Sequence, residues 1–214
     1  MNTVLLAVAW TVLGAAAGWA VRRGSVRLAR MEGLEPGEKR WQVLGPPLLS
    51  AVLFAAFAVQ VTSIPLLVLR SVFVLVLVQV IFFDFEHRLI LDRVMFPSMV
   101  LAAVVSLFGS PWWAGLATGV AAGLLFLVFA LVGYAIFKAE ALGFGDVKLA
   151  LFIGLLLGPL PTISAFFYGM VLAAVASIVF IVWHRSARGT IAYGPYLAAG
   201  ALIMLFLAPL NRGQ

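Results

Sequence analysis

Apolar stretches about as long as a membrane-spanning helix recur along this chain, and they constrain its fold more than any other feature. Hydrophobic residues make up 64% of its 214 residues and charged residues only 10%. A soluble domain of this size has no interior for so much apolar surface, whereas a bilayer solvates it. We therefore predict an all-α, polytopic helical membrane protein with about eight transmembrane helices. The predicted spans are 3–20, 45–63, 64–83, 89–108, 114–137, two within 147–184 separated by a break at 158–161, and 191–209.

Basic residues sort to one side of these predicted spans. All 14 Lys and Arg residues except Arg70 and Arg212 fall in alternate turns, and all eight acidic residues fall in the same turns. The positive-inside rule makes that side cytoplasmic, with both termini outside. Arg70 can extend outward to the interface or pair inside the helix bundle, and we expect the outward extension because it lies about two helical turns from an outer end. The net charge of +6 reflects membrane topology and contact with lipid, and it gives little support for nucleic-acid binding.

The spans divide into an N-terminal pair, 1–64, and a six-span core, 65–214. The pair encloses the largest polar segment, 21–44, whose charges and Pro36-Gly37 turn predict a solvated cytoplasmic loop. In the core, the stretch that starts at 147 is short: about 12 to 14 residues rise roughly 20 Å against a hydrocarbon thickness of about 30 Å. We expect a short or tilted helix at that point.

The polar stretch 140–149 (EALGFGDVKL) lies between two apolar segments. An acid at the edge of a membrane span is costly to desolvate, so Asp146 is a candidate functional residue. Gly143 and Gly145 carry no side chain and can adopt positive φ, which would let a second chain approach this backbone closely. The alternative is that Asp146 serves only as the N-cap of a helix that starts at Val147.

Asp84 is the second candidate acid. It ends the third predicted span and Asp146 precedes the sixth, so the predicted topology puts both at one membrane face. Two carboxylates that converge at a partly desolvated site share a proton. The ionised member can activate a water while the protonated member hydrogen-bonds the scissile carbonyl. The chain has no cysteine and no supported Ser/His/Asp set, so peptide hydrolysis by two aspartates is the predicted enzymatic function.

Other polar residues near these acids have more than one interpretation. Asp92 is expected to cap the fourth helix, to act as a further site acid or to contact substrate. Glu86 and Glu140 are expected to face water or to pair with Arg88, Arg93 and Lys138. His87 is expected to lie in a loop. Lys148 shares no helix face with the residue two positions before it, and is expected to reach lipid phosphate or another acid. Two histidines and no cysteine exclude a histidine-rich or cysteine-ligated metal centre, and no ligand spacing indicates binding by carboxylates alone, so no metal site is predicted.

A function from another class explains buried acids equally well. In an ion- or proton-coupled membrane transporter, Asp84 and Asp146 would form a relay. That alternative does not explain the Gly-x-Gly that precedes Asp146, nor the second acidic motif that runs from Asp84 to Asp92. Incubation with a protein substrate separates the two functions, because only a peptidase makes a shortened product.

Three motifs together resemble the type IV prepilin peptidases, a family of GxGD-type intramembrane aspartic peptidases. Residues 140–149 look like the family's G-x-G-D-x-K-[LF] motif with its Glu-Ala-Leu lead-in. Residues 83–92 resemble its other motif, an aspartate followed eight positions later by a Pro-Asp step, although Leu91 stands where the proline is usual. Residues 193–196 (YGPY) resemble the start of the family's last helix. The resemblance covers roughly residues 65 to 205.

The resemblance implies a membrane-embedded aspartic endopeptidase with Asp84 and Asp146 as its catalytic pair. The implied substrate is the short basic leader of a type IV pilin or pseudopilin precursor. Cleavage would follow a glycine on the cytoplasmic side of the bacterial inner membrane, in the service of a type IV pilus or a type II secretion system. Acids at the site would attract the basic leader. The residues expected to bind substrate or support the site are Gly143, Gly145, Asp92, Glu86, Glu140 and Lys148.

Cleavage by this pair would need no cofactor and no metal. Many bacterial relatives also methylate the new N-terminus with S-adenosylmethionine, and they have a longer first cytoplasmic region with paired cysteines. Here that region is only 21–44 and the chain has no cysteine. The sequence is therefore a short form, and S-adenosylmethionine is an expected cofactor only if methyl transfer is retained.

Overall fold

A computed structural model of the chain describes residues 3–138, 142–184 and 192–207. In these ranges the backbone forms eight α-helices and no strand, joined by short connections. In chain order the helices are α1 (Thr3–Met31), α2 (Arg40–Gln60), α3 (Ile64–His87), α4 (Asp92–Ser106), α5 (Ala114–Phe137), α6 (Phe144–Leu157), α7 (Pro159–His184) and α8 (Gly194–Leu207).

Five of these helices are long and apolar enough to cross a membrane, namely α1, α2, α3, α5 and α7. This confirms the predicted all-α, polytopic helical membrane protein. The described parts of α4, α6 and α8 have 15, 14 and 14 residues, fewer than the roughly 20 residues of an upright span. The count of eight spans and the outside location of both termini stay predictions.

Proline and glycine set the helix ends where the sequence predicted them. α3 begins at Ile64 with Pro65 in its first turn, where a missing N–H leaves no hydrogen bond unmade. α6 ends at Leu157 because Gly158 has a φ of 76°, a positive value that glycine adopts without strain. The predicted break at 158–161 is therefore confirmed, although α7 already begins at Pro159.

The predicted solvated loop over 21–44 is wrong in its extent. α1 continues to Met31 and α2 begins at Arg40, so only residues 32–39 lie outside a helix. Residues 21–31 contain no proline, and arginine is a good helix former, so nothing in that segment ends α1 before Gly33, whose φ is 72°. Part of the basic segment is therefore helical, and Arg22 is buried.

The helices pack into two units, Met1–Arg88 and Leu89–Gln214. In the first unit, α1 packs along α2, and α3 packs against both. Packing thus groups α3 with the two preceding helices. The predicted boundary between residues 64 and 65 was based on sequence motifs and not on packing. It divides the chain by function, and it stays a prediction.

Small and polar side chains join the three helices of the first unit. An added Cβ at Gly18 of α1 would lie only 2.5 Å from the Pro46 carbonyl oxygen of α2, so glycine permits this close crossing. Between α1 and α3, the Trp10 indole N–H donates to the Ser71 hydroxyl at 3.0 Å. Polar contacts of this kind fix the rotation of one apolar helix against another, which nonspecific apolar contact does not.

Arg70, in α3, corrects another expectation. Its side chain is buried, and its guanidinium carbon lies 5.6 Å from the centre of the Phe57 ring of α2. The predicted outward extension is therefore wrong. Contact with the aromatic face of Phe57 partly compensates the buried guanidinium of Arg70 for the hydration that it loses.

In the second unit, α6 is the central helix and packs against α4, α5, α7 and α8. Its buried face includes Leu149, Phe152 and Ile153. α5 and α6 cross closely where an added Cβ at Gly154 would lie 2.7 Å from the Gly119 Cα atom. Because α6 is surrounded by other helices, the residues of its first turn have a defined position in this unit.

Candidate active site

Asp84 lies in the last turn of α3 and is 6% exposed. The helix ends three residues later because Arg88 adopts a left-handed conformation, with φ of 55°, and its N–H donates to the Asp84 carbonyl oxygen at 2.8 Å. The predicted location of this acid at the end of an apolar helix is confirmed. A buried carboxyl at such a position is costly, so Asp84 is a candidate functional residue.

Glu86 does not face water but has a basic partner, which is the second of the two alternatives that the sequence left open. Its side chain is 4% exposed, and its Oε2 atom lies 2.7 Å from Nη1 of Arg22, which comes from α1. Its Oε1 atom accepts the backbone N–H of Gly37 and lies 3.3 Å from Nε2 of His87. Of the two predicted alternatives, water or a basic partner, the structure shows a basic partner, but that partner is Arg22 from a distant part of the chain.

The same arginine holds the connection between α1 and α2. Nη2 of Arg22 donates to the carbonyl oxygen of Gly37. The Gln42 side chain occupies the space that a Cβ at Gly37 would need. We call this set of contacts among Arg22, Gly37 and Glu86 the clasp. It joins α1, the 32–39 connection and the end of α3.

His87 is also placed differently from the prediction. It is the last residue of α3 and its side chain is 8% exposed, so it is not an exposed loop residue. Its ring centre lies 4.7 Å from that of Phe83, one turn earlier in the helix. This packing keeps the imidazole against the end of α3, beside the Glu86 carboxylate.

Asp146 is the third residue of α6, whose N-cap is Gly143, so the interpretation of Asp146 as an N-cap is wrong. Its N–H donates to the Gly143 carbonyl oxygen at 3.0 Å, and its carboxylate accepts the Gly143 N–H in return. The second of these bonds is the one by which an acidic side chain at the third helical position satisfies the N-cap N–H. Asp146 is therefore held in place by the local backbone of its own helix turn.

The surroundings of Asp146 favour a carboxyl that changes protonation near neutral pH. The residue precedes the apolar stretch 147–157 and lies outside the five helices that are long and apolar enough to cross a membrane. Burial raises its pKa from 3.8 to about 6, and the hydrogen bond from Gly143 opposes this shift. A carboxyl that exchanges its proton in this range can act as an acid or as a base at ordinary pH.

The two glycines before Asp146 have different roles, and neither has positive φ. Gly143 is exposed and extended, with φ of −74° and ψ of 149°. Gly145 lies against Ile90 in the turn before α4, where an added Cβ would be 3.0 Å from the Ile90 Cβ atom. Neither glycine uses the positive φ that is open to it, and close approach to a neighbouring turn explains Gly145.

Lys148 joins the two acidic motifs of the sequence. Its Nζ atom lies 2.5 Å from Oδ1 of Asp92, the first residue of α4, and 5.2 Å from the ring centre of Phe96. Of the two predicted partners, lipid phosphate or another acid, the structure shows another acid. Asp92 is not an N-cap, because Leu91 holds that position. The Asp92 side chain is 53% exposed, so this ion pair is partly hydrated.

An apolar cavity of about 780 Å³ lies between α5 and α7. Its walls run along α5 from Leu125 to Ile136 and along α7 from Phe166 to Ser177. The Ser177 hydroxyl donates to a backbone carbonyl of its own helix at 2.7 Å. Tyr193 also lines the cavity, 6.5 Å from Phe126 between ring centres.

Sequence reasoning did not select Tyr193 or Arg22 as site residues. Tyr193 lies close enough to Asp146 for the carboxylate charge to act on its hydroxyl. Its place in the YGPY motif was a signal that could have identified it. Arg22 had no such signal, because it is one of several arginines in a basic segment.

The structure brings several predicted residues together within each unit. In the second unit it joins Asp92 to Lys148 and Asp146 to Gly143. In the first unit Asp84 lies two residues from the buried Glu86. Asp84 and Asp146 belong to different units, so their pairing stays a prediction. Glu140 lies outside the described residues.

The apolar helices and the two acidic residues of the sequence motifs, Asp84 and Asp146, define a polytopic membrane protein with a candidate aspartic site. Residues 71–178 match the type IV leader peptidase family, and this range includes both Asp84 and Asp146. Because the match covers half of the chain, the protein belongs to that family.

A curated relative from Bacillus subtilis (strain 168), named prepilin leader peptidase/N-methyltransferase, is 33% identical over 165 residues. The alignment covers 73% of this chain and 62% of the relative, so the chain accounts for less than two thirds of that protein's length. No solved structure matches the chain.

Proposed function

We propose that the protein is a membrane-embedded aspartic endopeptidase that removes the leader of type IV pilin-like precursors. Asp84 and Asp146 form its catalytic unit. The observation that carries this proposal is the setting of Asp146: a partly buried carboxyl with a pKa near 6, fixed at a helix start in a chain of the leader peptidase family. For a residue that only capped a helix, the burial that raises this pKa would be a cost with no compensating role.

The mechanism needs one ionised and one protonated carboxyl. The ionised carboxylate takes a proton from a water, whose oxygen attacks the scissile carbonyl carbon. The protonated carboxyl donates a hydrogen bond to the carbonyl oxygen as negative charge develops there. The C–N bond then breaks, and the leaving nitrogen takes a proton from the carboxyl that had removed it from water. The products are a free leader and a new amino terminus.

The side of cleavage follows from the charge pattern. The connections that precede Asp146 and follow Asp84 belong to the side richer in Lys and Arg, which the positive-inside rule assigns to the cytoplasm. The protein thus acts at the cytoplasmic face of the bacterial inner membrane on pilin or pseudopilin precursors, for a pilus or a type II secretion system.

Acidic residues near the site do not account for attraction of the basic leader. Glu86 is buried and paired with Arg22, and Asp92 is paired with Lys148. Their charges are largely compensated, so long-range attraction from either is weak.

We propose cleavage without methylation. S-adenosylmethionine carries a charged amino acid part and a polar ribose, which need polar partners. The described connection between α1 and α2 is only residues 32–39, and its Gly37 is already bonded in the clasp. The cavity between α5 and α7 is lined mainly by apolar side chains. The described residues do not fit this cofactor, so we derive no step that uses it.

The test is incubation of the purified protein in detergent with a pilin-type precursor, with and without S-adenosylmethionine. Mass spectrometry should find the free leader and a mature product of unmodified mass in both reactions. Asp84→Asn serves as the matched inactive control. An intact precursor would favour the transporter alternative, and a mature product heavier by one methyl group would contradict the absence of methylation.

A further inference from the structure

Two of the three residues of the clasp, Arg22 and Gly37, lie outside the part of the chain that the family match covers, yet they contact the helix that carries Asp84. Arg22 and Gly37 precede residue 71, where that match begins, whereas Glu86 is two residues after Asp84. The contacts are therefore a connection between an N-terminal pair of helices and a candidate catalytic helix.

The clasp is built as a specific polar site. The side chains of Arg22 and Glu86 are 9% and 4% exposed, and the guanidinium uses both terminal nitrogens, one for the carboxylate and one for the Gly37 carbonyl. The carboxylate in turn uses both oxygens, one for the guanidinium and one for the Gly37 N–H. Arg22, Gly37 and Glu86 each make two hydrogen bonds within the clasp. The end of α3 therefore has one favoured position against α1 and the connection.

Other α1–α3 contacts provide a comparison. The Ser25 hydroxyl donates to the Gln79 side-chain oxygen at 2.6 Å, and Trp10 donates to Ser71 at 3.0 Å. Ser71 lies 13 residues before Asp84, so the second contact is roughly 20 Å away along α3. It joins the same two helices as the clasp but has no direct influence on the last turn of α3.

We propose that Arg22 and Glu86 are positioning residues of the active site, which act by fixing the last turn of α3 and thereby the Asp84 carboxyl. This inference rests on the proposed peptidase function. Reaction rates depend steeply on the placement of a catalytic group, and an error of about 1 Å can cost roughly 100-fold. The N-terminal pair of helices is thus part of the catalytic apparatus, although neither residue touches substrate.

The experiment measures kcat and KM for a pilin-type precursor with the full chain in detergent. Arg22→Ala and Glu86→Ala should each lower kcat about tenfold or more and leave KM within about twofold, because the catalytic group is displaced while the substrate contacts remain. The double variant should be no worse than either single variant, since both remove one contact set. Arg22→Lys, which keeps the charge, should recover part of the lost kcat.

Trp10→Phe is the matched control, because it removes a hydrogen bond between the same helices far from Asp84. Its kcat should stay within about twofold of that of the unchanged protein. Glu86→Gln keeps the shape and the acceptor for Gly37, and provides a folded variant if the alanine variants elute as aggregates; its kcat should also be reduced.

Three results overturn the inference: unchanged kcat in folded Arg22→Ala or Glu86→Gln, an equal loss of kcat in Trp10→Phe, or losses that multiply in the double variant. Failure of the proposed function is distinguishable from these results, because the unchanged protein would then leave the precursor intact.

Discussion

The end of α3 and the start of α6 each carry a candidate catalytic acid, but the two regions hold their acids differently. Beside Asp84, the clasp brings a buried arginine from α1 and a backbone segment from the 32–39 connection to the end of the helix. At the start of α6, Asp146 is held by the backbone of Gly143, only three residues away. The nearby Lys148–Asp92 ion pair is partly exposed.

This difference separates positioning by tertiary contacts from positioning by local structure. Removal of one partner from a buried ion pair typically costs about 3–5 kcal/mol, because the other charge is left without compensation. An exposed pair is worth about 0–1 kcal/mol. We therefore expect the α3 region to be sensitive to distant substitutions, and the α6 region to depend mainly on residues of its own turn.

The largest expected effect, a loss of kcat, is the same in the two regions. Asp84→Asn and Asp146→Asn should each lower kcat roughly 1,000-fold or more, and the double variant should be little worse than either, because groups that act as one unit are strongly non-additive. The measurement is precursor cleavage by variants with unchanged detergent elution. A folded Asp146→Asn protein that cleaves at nearly the original rate would contradict the two-aspartate mechanism and direct attention to Asp92.

The next effect concerns stability and separates the regions. Arg22→Ala should lower the free energy of unfolding by about 3–5 kcal/mol, because Glu86 would remain buried without its partner. Chemical denaturation in mixed micelles, followed by tryptophan fluorescence, measures this loss. The Arg22→Ala/Glu86→Ala double variant should be less destabilised than the sum of the singles. Strictly additive losses would show that the two side chains do not act as a pair.

Asp146→Asn should stabilise the protein in a pH-dependent way. The folded state raises the pKa of Asp146 from 3.8 to about 6. Its stabilising contribution is therefore complete below about pH 4 and is lost as the pH rises through 6. The variant should match the unchanged protein near pH 4 and exceed its stability by about 1–2 kcal/mol at pH 8, after allowance for partial exposure.

Thermal unfolding at the two pH values measures this difference. Asp92→Asn, at the partly exposed ion pair, is the control and should show no comparable gain at pH 8. An Asp146→Asn variant whose stability difference from the unchanged protein is the same at both pH values would contradict a raised pKa.

The smallest expected effect is that of the exposed pair. Lys148→Ala should lower the free energy of unfolding by no more than about 1 kcal/mol, because water hydrates the Asp92 carboxylate once the ammonium is removed. The loss should shrink in high salt, which screens exposed charges. A loss as large as that of Arg22→Ala would remove the distinction between the two regions.

Much of the fold could be predicted because it depends on local sequence. Apolar runs indicated the five long helices, and glycine and proline indicated ends such as Gly158. The extent of α1 was predicted incorrectly because its basic segment looked like a solvated loop. Charge alone does not end a helix, and Arg22 gains a buried partner that only folding provides.

For the site, the sequence by itself determined which acids stand at helix ends, since Asp84 and Asp146 flank apolar runs and lie in recognisable motifs. Only the tertiary structure decided which charges are compensated: Glu86 pairs with Arg22 across 64 residues, and Asp92 with Lys148 across 56. Hydropathy is a sum over neighbours in the chain and says where a helix lies. It does not say which faces of two helices meet, and the burial and pairing of a charge depend on those faces.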